Sequence, residues 1–450
     1  MIIRFKRGGY KTFLVFLFVL AFLFIPIRGS FTVSPINISS VYFHQNPFAN
    51  HAAINELWNF TYALTEMEVV KNPYEFMNVE KADSLFPVKN RQQVEVNGLV
   101  KVNKPNILLF IVESFSAKVL EPFGGWEGVA PRVNELCDES VIFKNIYASG
   151  SRTDKGLVAT LSGFPALPTN SIIKYPDKVQ TLPFLSKDLK ERDYHTGFYY
   201  GGDVNFANMR SYLVAGKFEY ISDMFDFPKR LHASKWGVHD EFLLQRVLEE
   251  CNESRYPFFK TVLTLSSHEP FDVPLESKFA GEDEFSKYLN AVYYTDSCLG
   301  EFISAAKVSS WWDSTLILIT ADHGVRHPRS NPIFYPENFK IPLIITGGAL
   351  NIQDTVIFKQ GSQVDLSYTL LQMLNMETNE YPYSKNLFSS DNNFAYFAYN
   401  KGFGYVTDSS IFTYDLNAKE PFYWSGKANE QNVVAGKAFL QISFQDFLDK

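Results

Sequence analysis

Cysteine is scarce in this sequence: three in 450 residues, Cys137, Cys251 and Cys298. They form no CxxC pair and, being odd in number, cannot all pair internally. Cys137 and Cys298 fall in helical patterns, where a buried free thiol is the expected state. There is no basic stripe, and a formal charge of −7 excludes broad affinity for nucleic acid. No internal repeat and no long low-complexity tract interrupts the chain. Charged residues reach only 20%, whereas 46% are hydrophobic, so the chain buries a sizeable core and is not disordered. Its length allows up to about three average domains or one large α/β domain. Aromatic residues are plentiful at 16%, with 42 Phe, a composition that suits work beside a membrane.

Only one long hydrophobic run is present. "MIIRFKRGGYK" carries Arg4, Lys6, Arg7 and Lys11, and "TFLVFLFVLAFLFIPI" follows. The run is a little short of the roughly 20 residues a span needs, but Tyr10 and Thr12 extend it. A cleaved signal peptide has the same plan, yet "PIRGS" is a poor small-x-small cleavage site. Residues 1–30 are therefore expected to form an uncleaved membrane anchor. Four positive charges precede the run and only Arg28 closely follows it, which puts the N-terminus in the cytoplasm and the bulk outside.

Residues 31–103 read as a juxtamembrane helical segment and connector. Leu57, Phe60, Leu64 and Met67 recur at helical spacing, so this piece is expected to pack on the membrane face of the main domain. From about 104 to 450 strands and helices alternate. "NILLFIVES" is a continuous apolar run typical of a strand buried on both faces. "APRVNELCDES" is a helix with Pro131 near its start. "TLPFLSKDLKERDYHTGFYYGGD" reads helix, strand and glycine turn, and "PFFKTVLTLSSHEPF" reads strand and loop. "YLNAVYYTDSCLGEFISAA" is a helix, "STLILITADHG" and "IPLIITGG" are strands, and "SQVDLSYTLLQML" is a helix. This alternation predicts a mainly parallel sheet covered on both faces. "FAYFAYNKGFGYVT" and "IFTYDL" read as antiparallel strands of a smaller C-terminal subregion.

In such sheets, sites form at the carboxyl ends of strands. Two strands here end in hard metal ligands: "NILLFIV" runs into Glu113, and "TLILIT" into Asp322 and His323. Two carboxylates and an imidazole suit Mn²⁺, Zn²⁺ or Mg²⁺ with open positions left over. The loop "YASGSRTDKGLVATLSGFP" turns directly into a helical pattern at Thr153. A threonine hydroxyl is a feeble nucleophile unless a base or a metal activates it. At a helix start it also offers a phosphate free N–H groups and the positive end of the dipole. From these residues alone, a plain helix cap and an activated nucleophile both fit Thr153.

The ordered motifs "NILLFIVES", "GSRTDKGLVATLSG", "YYGGDVNFANMRSYL", "WGVHDE", "TLSSHEPF", "ADHG" and "QVDLSYTLLQML" resemble the lipoteichoic acid synthase family, within the alkaline phosphatase and sulfatase superfamily. The resemblance covers roughly residues 104–375. It implies an alkaline phosphatase-like three-layer sandwich with a mainly parallel central sheet. It implies that Glu113, Thr153, Asp322 and His323 hold one divalent metal, Mn²⁺ foremost, and that Thr153 is the nucleophile. His268 matches a histidine that contacts the substrate head group. Asn208 and Arg210 fall in a region lining the pocket, where the family often carries Trp and this chain has Ala207. Arg152 and Arg326 are candidates to clamp phosphate oxygens. Asp203 and His327 are weaker candidates, and His239 reads as packing or surface. Relatives carry several membrane helices where one is visible here, which implies a shortened form or a truncated start.

The implied reaction moves a phosphoglycerol-type head group from a membrane phospholipid, through a phosphorylated threonine, to a glycan, lipid or polyol-phosphate hydroxyl. The expected location is the outer or periplasmic face of the cell membrane. Alternatives are a phosphoethanolamine transferase, a phosphodiesterase or phosphatase using water, and a catalytically dead binding protein. Sulfatase chemistry fits less well. Those enzymes modify a Cys or Ser in C/S-x-P-x-R, and "TDKGL" has neither the Pro nor the Arg.

Overall fold

Continuous apolar runs become the inner strands of one large sheet. The computed structural model describes residues 9–29, 35–65, 71–88, 98–327, 331–376, 378, 380–391 and 393–450. In it NILLFIV forms β1 (Asn106–Val112), with every residue buried. The same sheet holds β2 (Val141–Tyr147), β3 (His195–Tyr200), β4 (Tyr220–Ser222), β5 (Phe258–Leu263), β6 (Thr315–Ala321), β7 (Lys340–Thr346) and β8 (Thr355–Ser362). Their spatial order is β4-β3-β5-β1-β6-β7-β2-β8. β7 runs antiparallel to β6 and β2, and the other pairings are parallel. Full burial of β1, β5 and β6 requires cover on both faces, as parallel sheets do. Helices supply it. Phe302, on the helix Glu284–Lys307, meets Phe110 of β1 edge-on at 5.1 Å.

A second, antiparallel sheet follows: β9 (Phe394–Tyr399), β10 (Gly402–Thr407), β11 (Ser410–Asp415) and β12 (Glu420–Gly426). The C-terminal helix Glu430–Asp449 lies on it, with Phe439 stacked on Tyr396 at 4.3 Å. Ala398 N–H of β9 donates to Ser149 O at 2.8 Å, so this sheet buttresses the loop that leads to Thr153.

The N-terminal expectations need correction. Tyr10–Arg28 is a helix of 19 residues whose apolar side chains from Tyr10 to Phe24 are exposed. Among the described residues no helix is long and apolar enough to cross a membrane. Arg4, Lys6 and Arg7 lie outside the described residues. The helix Glu56–Thr65 forms, but Leu57, Phe60 and Leu64 do not pack on the main domain: they are 75%, 63% and 65% exposed. Met67 lies outside the described residues. This stretch docks through polar groups instead. Asn37 Nδ2 donates to Asn205 O (2.6 Å), Ser39 Oγ accepts from Ser211 N (2.8 Å), and Gln45 Nε2 donates to Phe218 O (3.4 Å).

Candidate active site

The register of two neighbouring strands sets the first contact. β1 and β6 are parallel, and Val112 pairs with Ala321, so the next residues, Glu113 and Asp322, leave the sheet side by side. The chain then bends sharply. Ser114 takes a left-handed conformation, φ 55°, a strained choice for a non-glycine residue that is held by its surroundings. Its N–H donates to Asp322 Oδ1 (2.8 Å), its hydroxyl to Glu113 Oε1 (2.8 Å), and its carbonyl accepts from Tyr288 Oη (2.8 Å). The Glu113 backbone is pinned as well, by Thr264 Oγ1 at its N–H (2.9 Å) and by Ser267 Oγ at its carbonyl (2.5 Å).

His323 Nδ1 donates to Gly324 O at 2.9 Å, which leaves Nε2 facing Asp322 Oδ2 at 3.4 Å and Glu113 Oε1 at 3.7 Å. Ligand atoms of Glu113, Asp322 and His323 all lie within 4.8 Å of one another. Asp322 is fully buried, and its Oδ2 has no hydrogen-bond partner. An orphaned buried acceptor costs about 1–3 kcal/mol. Burial first, then the neighbouring Glu113, raises the Asp322 pKa. Burial opposes charge on His323, but Asp322 and Glu113 prevail and raise its pKa. Converging acceptors, one left bare, with two carboxylate groups and an imidazole as donors, fit a divalent cation.

Thr153 opens the helix Thr153–Ser162 but does not cap it. The capping position is Arg152, which makes no side-chain capping bond, and the Thr153 hydroxyl points at Glu113 Oε2, 3.4 Å away. That is long for an O–H···O bond, so the hydroxyl is near its acceptor without being locked to it. The helix comes this close because of Gly156. A Cβ there would sit 1.9 Å from Asp322 O. Thus the structure brings Glu113, Thr153, Asp322 and His323 together.

Glu113 and His323 line a cavity of about 340 Å³, whose wall also includes His268, Arg326, Ser151 and Phe271, with Thr153 and Asp322 directly behind Glu113 and His323. His268 Nδ1 donates to Glu269 O (2.8 Å), and its ring meets Trp236 at 4.7 Å. Burial lowers its pKa, which favours a neutral ring with Nε2 able to accept. Arg326 lines the cavity with Nε bound to Asn331 O (2.6 Å). Lys118 steadies the same loop by donating to Val325 O, His327 O and Asn338 Oδ1. His327 is on the wall, stacked on Tyr288 at 4.9 Å.

The remaining candidates lie elsewhere. Arg152, a largely exposed side chain, pairs with Asp154 at 3.3 Å and is not on the cavity wall. Neither are Asn208 and Arg210. Arg210 is neutralised by Asp223 (2.7 Å) and also held by Asn205 (2.9 Å). Asp203 accepts from Asn205. His239 is buried edge-on to Tyr294. Sequence reasoning missed Ser114, Gly156 and Asp240. Buried Asp240 accepts from Leu265 N (2.8 Å) and Thr295 Oγ1 (2.8 Å), fixing the strand end that leads to His268. Its signal was the carboxylate in "WGVHDE"; Ser114 gave none.

Comparison with known proteins bears on the family and the fold. A family model described as Sulfatase matches residues 105–376. A "Lipoteichoic acid synthase-like YvgJ" of Bacillus subtilis is 23% identical over 74% of this chain and 58% of its own length. A "Phosphoglycerol transferase I" of Xanthomonas campestris is 27% identical over 59% of this chain and 40% of its own. The chain thus spans about half the length of these curated relatives. Among solved structures, a protein of the alkaline phosphatase superfamily from Vibrio parahaemolyticus superposes with TM-score 0.72 at 26% identity, covering 84% of this chain and 97% of that one. The lipoteichoic acid synthase LtaP from Listeria monocytogenes gives 0.69 at 20%, covering 82% and 98%. With the matched region running from β1 past the Asp322–His323 pair, over more than half its length, the chain belongs to the Sulfatase family.

Proposed function

We propose that this protein is a metal-dependent phosphotransferase that moves a phosphoglycerol-type head group from a membrane phospholipid to an acceptor hydroxyl, with Thr153 as nucleophile. One observation carries the reading: the Thr153 hydroxyl faces Glu113, beside the bare Oδ2 of Asp322, instead of capping its helix. The names of the curated relatives, a synthase-like protein and a phosphoglycerol transferase, support the substrate class. Family membership does not make it a sulfatase, because Thr153 stands where such enzymes carry a modified Cys or Ser.

Glu113, Asp322, His323 and Thr153 would hold the cation, Mn²⁺ in this reading with Zn²⁺ or Mg²⁺ as alternatives. When bound, it supplies positive charge that eases formation of an alkoxide and charge build-up on phosphate oxygens. Glu113 Oε2 is the nearest acceptor for the Thr153 proton. Thr153 Oγ1 bonds to phosphorus as the bond to the diacylglycerol oxygen breaks, and that oxygen takes a proton from solvent. In the second step an acceptor hydroxyl gives its proton to His268 Nε2 and attacks phosphorus as the bond to Thr153 Oγ1 breaks, and Thr153 takes back the proton held by Glu113. Arg326, on the cavity wall, is the candidate clamp for phosphate oxygens. A phosphoethanolamine head group is the second reading, favoured by Glu269 and Glu284 on the same wall.

Attachment to the outer face of a membrane completes the proposal. The exposed apolar side chains from Tyr10 to Phe24, with Leu57, Phe60 and Leu64, support it. The test is turnover of a chromogenic phosphodiester with Mn²⁺. Wild type is expected to cleave it and Thr153→Ala to lose at least about a thousandfold in kcat. An unchanged rate in Thr153→Ala would exclude the nucleophile.

A further inference from the structure

Gln363 is fully buried and is not on the wall of the cavity described above, yet both halves of the site are tied to it. Its Nε2 donates to Ala321 O (2.8 Å) and Asp322 O (2.9 Å), at the end of β6. Its Oε1 accepts from Ser149 N (3.1 Å), at the root of the Thr153 loop, and its own N–H donates to Tyr147 O (2.9 Å). We propose that Gln363 is the positioning residue of the site, its single carboxamide fixing the Thr153 loop against the strand end that carries Asp322 and His323.

The chemistry is selective. Only a primary amide offers two N–H donors and a carbonyl acceptor in one planar group, and here all three are used. Asp322 O, one of the bonded carbonyls, is also the atom on which the helix at Gly156 rests. Movement of that carbonyl would shift a ligand-bearing residue and the Thr153 helix together. Ser149 is held on its other sides, its Oγ accepting from Ala166 N (2.7 Å) and its carbonyl from Ala398 N (2.8 Å), so the loop is fixed at its root. The backbone next to Gln363 is in turn held by Asp365, which accepts from Ser362 N (2.7 Å) and Lys385 Nζ (2.6 Å).

The inference rests on reading Thr153 and Asp322 as the reacting machinery, and its test separates the two ideas. Gln363→Glu keeps the shape but offers one O–H donor at most in place of two N–H donors; Gln363→Met removes all three bonds. In the full chain, Mn²⁺ affinity is read from the electron paramagnetic resonance of the free ion, and kcat and KM from the chromogenic diester. Both variants are expected to fold cooperatively, to bind Mn²⁺ about 10- to 100-fold more weakly and to lose a similar factor in kcat, with KM little changed. A lowered melting temperature with Mn²⁺ affinity and kcat intact would assign Gln363 a scaffold role only and overturn the proposal. So would failure of both variants to fold. A wild type that binds Mn²⁺ without turning over the diester would end the phosphotransferase reading, while the Mn²⁺ affinities would still decide the role of Gln363.

Discussion

A hydroxyl, an orphaned carboxylate oxygen and an imidazole whose Nδ1 is occupied by a carbonyl carry the proposed chemistry at the scale of single residues. The His268 ring gives a sign that can be checked. Burial lowers its pKa below the ordinary 6.5, so at neutral pH it is unprotonated and able to accept a proton. Activity should hold at neutral pH and fall on the acid side through an apparent pKa below 6.5, where the ring gains its proton. A pH–rate profile of kcat for the diester checks this, and His268→Gln should remove that limb. Glu113, Asp322, His323 and Thr153 were all legible as candidates in the sequence, because two apolar strands ended in ligand residues and one polar loop turned into a helix. Arg152 is the sequence neighbour of Thr153, whereas Asn208 and Arg210 came from the family resemblance, and none of the three is on the cavity wall. Arg210 is paired with Asp223, a partner that no spacing rule reveals.

Among the elements, long apolar strands were readable and the last two strands on the β8 side of the sheet were not. β1, β5 and β6 are buried along their whole length and appear as unbroken hydrophobic runs. β2 carries Lys144 and Asn145 in its middle, and β8, at the edge, is buried only toward its end, so neither announces itself. The helix Thr153–Ser162 makes its own prediction. A methyl group at position 156 would collide with Asp322 O, and neither backbone yields cheaply in a packed core. Gly156→Ala should therefore cost about 1–3 kcal/mol in stability and reduce kcat, measured by denaturant unfolding and diester turnover. The helix Glu56–Thr65 is helical as read, but its apolar side, expected to pack on the membrane face of the main domain, is exposed. Periodicity shows that a helix has an apolar face, not what covers it. Because Leu57 and Phe60 are exposed, the double change Leu57→Ser and Phe60→Ser should leave the melting temperature within about 0.5 kcal/mol equivalent. It should weaken sedimentation with phosphatidylglycerol vesicles, if that face meets lipid as proposed.

For the whole molecule, the sheet order explains why residues far apart in the text meet. Crossovers bring β1 and β6 side by side, and the β9–β12 sheet braces the Thr153 loop through Ala398. The alternating strand and helix pattern made the α/β class legible. The antiparallel insertion of β7 was not, since an apolar strand reads the same in either direction. The measurement that bears most directly on the proposed chemistry is mass spectrometry of the protein after incubation with Mn²⁺ and head-group-labelled phosphatidylglycerol or phosphatidylethanolamine. The expected result is a labelled phosphoglycerol adduct on the peptide containing Thr153, absent in Thr153→Ala. Product release with no adduct at Thr153, or an adduct on another side chain, would contradict it.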